Sequence, residues 1–189
     1  MPNANTILDV QRIAKRFGAR VLFEDLSFSI AEGQKVGLIA RNGTGKSTLL
    51  TILTGIESAD SGTIVYRNGT RIGFLEQEPH FEPTDTVLEA CFDHKGDEDR
   101  VTKARQILTR LKIKDLEQPM GQLSGGQRKR VALARVLAAE PDFLILDEPT
   151  NHLDLEMIEW LEGFLSKGGK TLLMVTHDRY FLDHVCNTI

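Results

Sequence analysis

Residues 36–53 read Val36-Gly37-Leu38-Ile39-Ala40-Arg41-Asn42-Gly43-Thr44-Gly45-Lys46-Ser47-Thr48-Leu49-Leu50-Thr51-Ile52-Leu53, which is an apolar run, a glycine-rich loop and a helical segment in succession. The pattern predicts a buried strand over residues 36–39 and a helix over residues 46–53 that ends at Gly55. Glycines between a strand and a helix let successive backbone N–H groups converge on phosphate oxygens. The stretch therefore predicts a phosphate-binding loop, or P-loop.

The P-loop supplies most of the predicted nucleotide ligands. Lys46 is expected to reach the β- and γ-phosphates, and Ser47 to place its hydroxyl on Mg²⁺, an ion that relies largely on phosphate oxygens. The strict motif begins with glycine where this chain has Ala40, but that position requires only a small residue. The alternative, a glycine-rich turn without a ligand, is disfavoured by the strand and helix on either side. The predicted ligands are Ala40, Arg41, Asn42, Gly43, Thr44, Gly45, Lys46, Ser47 and Thr48.

Two adjacent carboxylates, Asp147 and Glu148, follow a second apolar run. Residues 143–146 predict a buried strand, and the carboxyl end of a parallel strand opens onto the ligand crevice. Asp147 is expected to hold the hydration shell of Mg²⁺, and Glu148 to polarise the attacking water as general base. Alone, the pair also fits a helix cap or a surface turn. The P-loop in the same chain favours the catalytic interpretation.

Two further polar residues follow predicted strands and are expected at the same sheet edge. His177 follows the strand predicted over residues 171–176, within reach of a γ-phosphate or its leaving group, although a lone histidine is often structural. Gln77 follows the strand predicted over residues 71–75, where its side-chain oxygen can bind Mg²⁺ or water. The catalytic candidates are thus Glu148, His177, Lys46 and Gln77, and the candidate metal ligands are Ser47, Gln77 and Asp147.

A second glycine-rich sequence, Leu123-Ser124-Gly125-Gly126-Gln127, precedes a helix predicted over residues 127–139. Its backbone and the Ser124 hydroxyl offer a second helix N-terminus that suits phosphate. Since one nucleotide already fills the P-loop, these residues are expected to face the nucleotide of another domain. The alternative is simple helix capping.

The remaining pattern predicts a single α/β domain over residues 1–189, with a mainly parallel sheet, an antiparallel β flap and a small helical part within residues 75–140. Strands are predicted over residues 6–10, 21–30, 63–66 and 71–75, the last two joined as a hairpin across Asn68-Gly69. Residues 93–100 predict a solvated loop or a linker, and residues 101–111 a helix. A helix is also predicted over residues 155–165, and Asp178 is expected to cap a short final one.

The composition is that of a globular domain. The 189 residues are 41 % hydrophobic and 26 % charged, with a net charge of -4, which excludes disorder and fibrous architecture and gives no sign of a general polyanion binder. No run approaches the roughly 18 to 20 apolar residues of a membrane span, and the start lacks a signal-peptide pattern. Cys91 and Cys186 predict neither a disulfide framework nor a zinc site, which suits a reducing cytoplasm.

The sequence resembles the ATP-binding cassette (ABC) superfamily over essentially the whole chain. The resemblance lies in five features that occur in the family's order: the P-loop, Gln77, the Leu123–Gln127 sequence, the Asp147-Glu148 pair and His177. The resemblance implies a P-loop NTPase fold of ABC type, ATP and Mg²⁺ as cofactors, and hydrolysis of ATP to ADP and phosphate. It also implies that Phe17 stacks on adenine, that Ser124 and Gly126 contact the γ-phosphate of an opposite site, and that Asp154 belongs to the loop linking the two sites. From the residues alone, Phe17 is as readily a core or hairpin aromatic.

Two strings are similar to the ABC-F subfamily, and especially to its Uup-like branch: Glu148-Pro149-Thr150-Asn151-His152-Leu153-Asp154 and Thr176-His177-Asp178-Arg179-Tyr180-Phe181-Leu182-Asp183. This resemblance implies the first of two cassettes in a cytoplasmic chain that acts on ribosomes or translation. The subfamily's helical arm is expected to be short or missing between Gln77 and Leu123, and the C-terminal end at Ile189 to be truncated.

Two functions of different classes stay open. The first is an ATPase module that dimerises on ATP, as a homodimer or with a second cassette of its parent chain, and acts as a switch on a ribosome or related nucleoprotein. The second is the nucleotide-binding subunit of a membrane transporter, which shares every catalytic residue. A clamp that binds ATP without turnover would require loss of the base, and Glu148 is intact.

Overall fold

The computed structural model describes residues 5–39, 43–92 and 98–189. Its elements, in chain order, are β1 (Thr6–Phe17), β2 (Arg20–Ala31), β3 (Lys35–Leu38), α1 (Lys46–Leu53), β4 (Ser61–Tyr66), β5 (Ile72–Leu75), α2 (Glu98–Arg110), α3 (Gly125–Ala138), β6 (Phe143–Asp147), α4 (Leu155–Ser166), β7 (Thr171–Val175) and α5 (Arg179–Val185). Two 3₁₀ turns, Glu89–Cys91 and Met120–Gln122, lie between β5 and α3. No helix in these three ranges is long and apolar enough to cross a membrane.

The strands form two sheets. The first has the order β3-β7-β6-β5 with every pair parallel, and the second has the order β2-β1-β4 with both pairs antiparallel. Every residue of β6 and β7 is buried, as expected for central parallel strands covered on both faces. The predicted parallel core and antiparallel flap are confirmed, and β1 is longer than predicted because bulges carry its pairing on to Phe17.

The hairpin predicted across Asn68-Gly69 is wrong. The turn itself forms, since Gly69 has a φ of 79° and the Thr70 N–H donates to the Arg67 carbonyl. However, β4 pairs with β1 and β5 pairs with β6, so the two strands lie in different sheets. A turn signal specifies only a local reversal of the chain, and here burial of Leu75 beside β6 decides the pairing.

The solvated loop predicted over residues 93–100 is wrong at its end, because α2 already begins at Glu98. Residues 93–97 lie outside the described residues. Glu98 and Asp99 favour the positive end of the helix dipole, and the Arg100 guanidinium lies 5.9 Å from the centre of the Phe92 ring. The charges that suggested a loop therefore start a helix.

Two apolar clusters cover the two faces of the parallel sheet. One packs α2, α3, α4 and α5 on the face that includes Leu144 and Met174, and the other packs α1 and the antiparallel sheet on the face that includes Phe143 and Val175. Both layers send loops to the edge at which the parallel strands end. That edge is where side chains from distant parts of the sequence meet.

Candidate functional site

A cleft of about 530 Å³ opens at the carboxyl ends of the parallel strands. It is bounded by the start of α1, by residues directly after β5, β6 and β7, and by the turn between β1 and β2. Its lining residues are Phe17, Arg20, Leu22, Gly43, Gly45, Lys46, Ser47, Thr48, Gln77, Asp147, Glu148, Asn151 and His177. The structure thus brings together most of the predicted P-loop and catalytic residues. The predicted ligands Ala40, Arg41 and Asn42 lie outside the described residues.

The N-terminus of α1 faces this cleft. Its N-cap is Gly45, with a φ of 93°, and a Cβ there would stand 3.1 Å from the Cβ of Leu22. Gly43 is also left-handed, with Thr44 between the two glycines, and Arg20 donates to the Gly43 carbonyl. Gly45 has no side chain with which to cap the helix, and the end of a helix in such a loop is suited to bind an anion.

Oxygen donors from three elements converge beside α1. Ser47 Oγ lies 3.4 Å from Gln77 Oε1, and Ser47 also hydrogen-bonds the Asp147 carboxyl. Burial raises the pKa of Asp147, while the Ser47 hydrogen bond and the Lys129 charge lower it. A hydroxyl, an amide oxygen and a carboxylate are the hard ligands that suit Mg²⁺. Within the three described ranges no group of three or more His, Cys, Asp or Glu could hold a metal.

Glu148 and His177 form a pair at the rim of the cleft. Glu148 Oε1 lies 3.2 Å from His177 Nε2, and the His177 N–H donates to Glu148 Oε2 over 3.3 Å. The Glu148 backbone has a φ of 48°, unusual for a residue with a side chain, and its N–H donates to the Val175 carbonyl over 2.7 Å. Strain of this kind concentrates at functional sites. The carboxylate is therefore held in one position, where it can accept a proton from water.

The glycine-rich sequence before α3 does not line this cleft. Ser124 Oγ accepts from the Gln127 N–H over 3.2 Å, and Gln127 Oε1 accepts from the Ser124 N–H over 2.9 Å, which is a complete capping box. Gly125 lines a neighbouring groove of about 580 Å³. A Cβ on Gly126 would stand 3.2 Å from the Cβ of His152. The helix-capping alternative is thus observed, and a role toward another domain stays a prediction.

Asp154 also lies away from the cleft, at the N-cap of α4. Its Oδ1 accepts from the Met157 N–H over 3.0 Å, and its Oδ2 lies 2.7 Å from Lys112 Nζ. The Lys112 ammonium lowers the pKa of the Asp154 carboxyl and also pairs with Glu156 over 2.8 Å. Its predicted place between two sites stays a prediction.

Three lining residues were not predicted as site residues: Arg20, Leu22 and Asn151, the last of which the sequence analysis used only as part of a family-specific string. A basic residue just after a turn that begins at Phe17 was a usable signal for Arg20, whereas Leu22 had none. Phe17 itself is 53 % exposed beside the cleft, so its interpretation as a core aromatic is wrong. Lys15 Nζ lies 5.4 Å from the centre of the Phe17 ring and forms an ion pair with Glu57 Oε1 over 2.8 Å.

Known proteins resemble the chain in sequence. A protein-family model described as ABC transporter matches residues 23–151. Relatives include the ABC transporter ATP-binding protein YfmR of Bacillus subtilis (39 % identity, 97 % of this chain and 36 % of that protein), the energy-dependent translational throttle protein EttA of Mycobacterium tuberculosis (32 %, 98 % and 40 %) and the ribosome protection protein VmlR of Bacillus subtilis (39 %, 96 % and 33 %). The chain therefore spans between 33 % and 40 % of the length of these curated relatives.

Solved structures share the fold. A metal-chelate type ABC transporter in an inward-facing conformation matches with a TM-score of 0.76 at 28 % identity, over 97 % of this chain and 77 % of that one. An ATP-binding subunit of an ABC transporter matches with a TM-score of 0.85 at 22 % identity, over 96 % and 83 % of the two chains. At that identity the second match shows the fold alone. The predicted fold class is confirmed.

Proposed function

This chain belongs to the ABC transporter family, and from that premise we propose that its cleft binds ATP with Mg²⁺ and hydrolyses the β–γ phosphoanhydride bond. One observation carries the proposal. The glycine-capped N-terminus of α1, the oxygen donors around Ser47 and the Glu148–His177 pair meet at one sheet edge. Phosphoryl transfer needs those three things: a phosphate cradle, ligands for a charge-neutralising ion and a group that orients water.

Each residue has a distinct role in this proposal. Lys46 and the N–H groups of Gly43, Thr44 and Gly45 hold the phosphates, and the exposed Phe17 ring stacks on the base. Ser47, Gln77 and Asp147 hold Mg²⁺, which when bound neutralises charge on the β- and γ-phosphates. Thr48 lies in the first turn of α1 and also lines the cleft.

The proton transfer falls to the pair at the rim. Glu148 accepts a proton from the attacking water. That water approaches the γ-phosphorus in line with the bond to the leaving oxygen. His177, whose Nε2 lies 3.2 Å from Glu148 Oε1, positions that carboxylate and donates toward the γ-phosphate. Catalytic hydrogen bonds are often long without substrate and shorten when substrate binds, and the Glu148–His177 distance of 3.2 Å fits this behaviour.

We further infer that the site is completed by a second cassette, either another copy of this chain or a cassette of a longer parent. Ser124, Gly125, Gly126 and Gln127 lie outside the cleft of their own chain, which supports a role toward the γ-phosphate of the opposite site. Asp154 would then link the two sites. A helix N-terminus aimed at the developing charge stabilises the transition state.

The wider role we propose is that of an ABC-F type cassette of the Uup-like branch, the first of its chain, acting on ribosomes in the cytoplasm. The Asn151-His152-Leu153-Asp154 string supports this, as do relatives named for translation and ribosome protection. The competing function is the ATP-binding subunit of a transporter, which the names of YfmR and of the metal-chelate type transporter support.

The test measures ATP turnover against protein concentration. The rate of ATP hydrolysis should rise more than linearly with protein concentration, because the P-loop of a single cassette has no opposing Ser124–Gln127 segment until two cassettes associate. Strictly linear activity on the order of 10 s⁻¹ contradicts the composite site.

Glu148→Gln is the matched variant. It should bind ATP within about threefold of the wild type and lose at least about 100-fold in kcat, since the amide keeps the shape and loses the basicity. Equal turnover would mean that Glu148 is not the base. Sedimentation of the ATP-bound variant with ribosomes distinguishes the two wider roles, because a transporter subunit should remain in the supernatant.

A further inference from the structure

Lys129 is a buried cation in the first turns of α3, with 5 % of its surface exposed. Its Nζ donates to three main-chain carbonyls: those of Glu76, of Gln77 over 3.2 Å and of Asp147 over 3.0 Å. An ammonium group has three N–H donors. All three are therefore used on backbone oxygens of two other elements.

The three carbonyls belong to the ends of β5 and β6, which are neighbours in the parallel sheet. Gln77 and Asp147 are the residues whose side chains carry the oxygens proposed for Mg²⁺, and Glu148 follows directly. Lys129 therefore hydrogen-bonds the main chain at the residues that carry these side chains. The same helix carries Ser124 and Gln127 at its N-terminus, one turn away.

Stability alone is a poor explanation for a cation at this position. Among the residues that the structure describes, no carboxylate lies within 4.0 Å of Lys129 Nζ, so the charge is balanced only by carbonyl dipoles and more distant acids. Burial lowers the pKa of Lys129, whereas Asp147, Glu148 and Glu76 raise it. An apolar side chain of similar length would avoid the desolvation cost of the buried charge.

We propose that Lys129 is a positioning residue that locks the ends of β5 and β6 to α3, so that the Mg²⁺ ligands Gln77 and Asp147 and the opposing-site segment at Ser124 move as one unit. The inference rests on the proposed function. Without the ammonium, the two strand ends keep their sheet pairing but lose their common anchor. The metal ligands then lose their fixed separation, while the phosphate cradle on α1 is untouched.

The experiment compares the wild type with Lys129→Met, which keeps the length of the side chain, and Lys129→Arg, which keeps charge and donors. Lys103→Met is the matched control, since Lys103 is an exposed helix lysine paired with Glu140 over 2.6 Å. ATP affinity is measured by calorimetry in EDTA and again in Mg²⁺. Turnover is then titrated with Mg²⁺ at saturating ATP.

Lys129→Met should bind ATP in EDTA within about threefold of the wild type, yet need about 10-fold more Mg²⁺ for half-maximal turnover, the size typical for residues that orient metal ligands. Its kcat should fall while KM for ATP stays within threefold. Lys129→Arg should recover most of the Mg²⁺ dependence, and Lys103→Met should match the wild type.

Three results overturn the proposal. The first is that Lys129→Met melts earlier but titrates with Mg²⁺ like the wild type, which would make the cation merely structural. The second is that Lys129→Met and Lys129→Gln both fail to fold while Lys129→Arg folds, which would have the same meaning. Failure of the proposed function itself looks different, because it appears in the wild type as absent ATP binding and overturns both ideas together.

Discussion

Glycines lie at the N-termini of both α1 and α3, but the two helix ends are capped in different ways. At α1 the N-cap is a left-handed glycine that offers no side chain, and the helix end faces the cleft. At α3 the N-cap is Ser124, which forms a reciprocal capping box with Gln127. One helix end thus has no side-chain cap, whereas the other is capped by a side chain of its own segment.

Because of this difference, we expect the N-termini of α1 and α3 to have different roles. In the proposed site an anion accepts hydrogen bonds from the N-terminus of α1, so ligand binding and local order would be coupled there. The end of α3 is ordered beforehand, so a phosphate from another cassette would meet a preformed surface. The first end should thus control affinity, and the second should control stability and cooperation between cassettes.

The largest effect is expected from Lys46→Ala at the α1 end. Loss of a charge-assisted contact to phosphate should weaken ATP binding by about 10- to 100-fold, with little change in fold because alanine suits a helix. Calorimetry measures the dissociation constant. Lys35→Ala is the control, since Lys35 Nζ donates to the Ser166 carbonyl over 2.7 Å, away from the cleft. An unchanged constant for Lys46→Ala would remove the proposed difference between the ends.

Ser124→Ala should produce a smaller effect of another kind at the α3 end. Loss of the cap should lower the free energy of unfolding by about 1 kcal/mol, as measured by urea denaturation. ATP affinity in dilute solution should stay within twofold, while turnover at high protein concentration should fall. Ser124→Asn, which can still cap, should keep the stability. A loss of affinity as large as that of Lys46→Ala would mean that both ends bind the same nucleotide.

The smallest effect is expected at Gly126, where an added Cβ meets His152 at 3.2 Å. Alanine favours the helix but crowds the imidazole, so Gly126→Ala should be nearly neutral in the wild type. In a His152→Ala background the same change should stabilise, with a coupling energy of about 0.5 to 1 kcal/mol from denaturation of all four proteins. Strict additivity would show that His152 moves aside freely and does not support the α3 end.

The residues at the sheet edge were predictable because each follows its own apolar run. Asp147 ends a buried strand, His177 lies two residues after another, and Lys46 begins a helix after a glycine loop, so their positions depend on short-range pattern alone. The pairing of β5 with β6 was not predictable in this way. It depends on contacts between segments far apart in sequence, such as the Arg71 N–H with Asp142 Oδ2 over 2.9 Å.

Lys129 was missed for a related reason. In the sequence it is one basic residue among three that follow Gln127, and such a run is typical of a solvated helix face. Its partners are backbone carbonyls, which carry no residue-specific signal. Only the packing of α3 against the ends of β5 and β6 shows that the ammonium of this lysine is buried there.

The position of β3 in the sheet sets an order for folding during synthesis. One edge of β3 pairs with β7, and on its other side Gly37 and Lys35 bond the backbone at Thr188. Both partners are made more than a hundred residues after β3. At roughly 5–20 residues per second, β3 waits on the order of 10 s with its backbone unpaired. The strand that leads into the glycine loop therefore gains its pairing partners late, so we expect the proposed phosphate site to form only after β7 has left the ribosome.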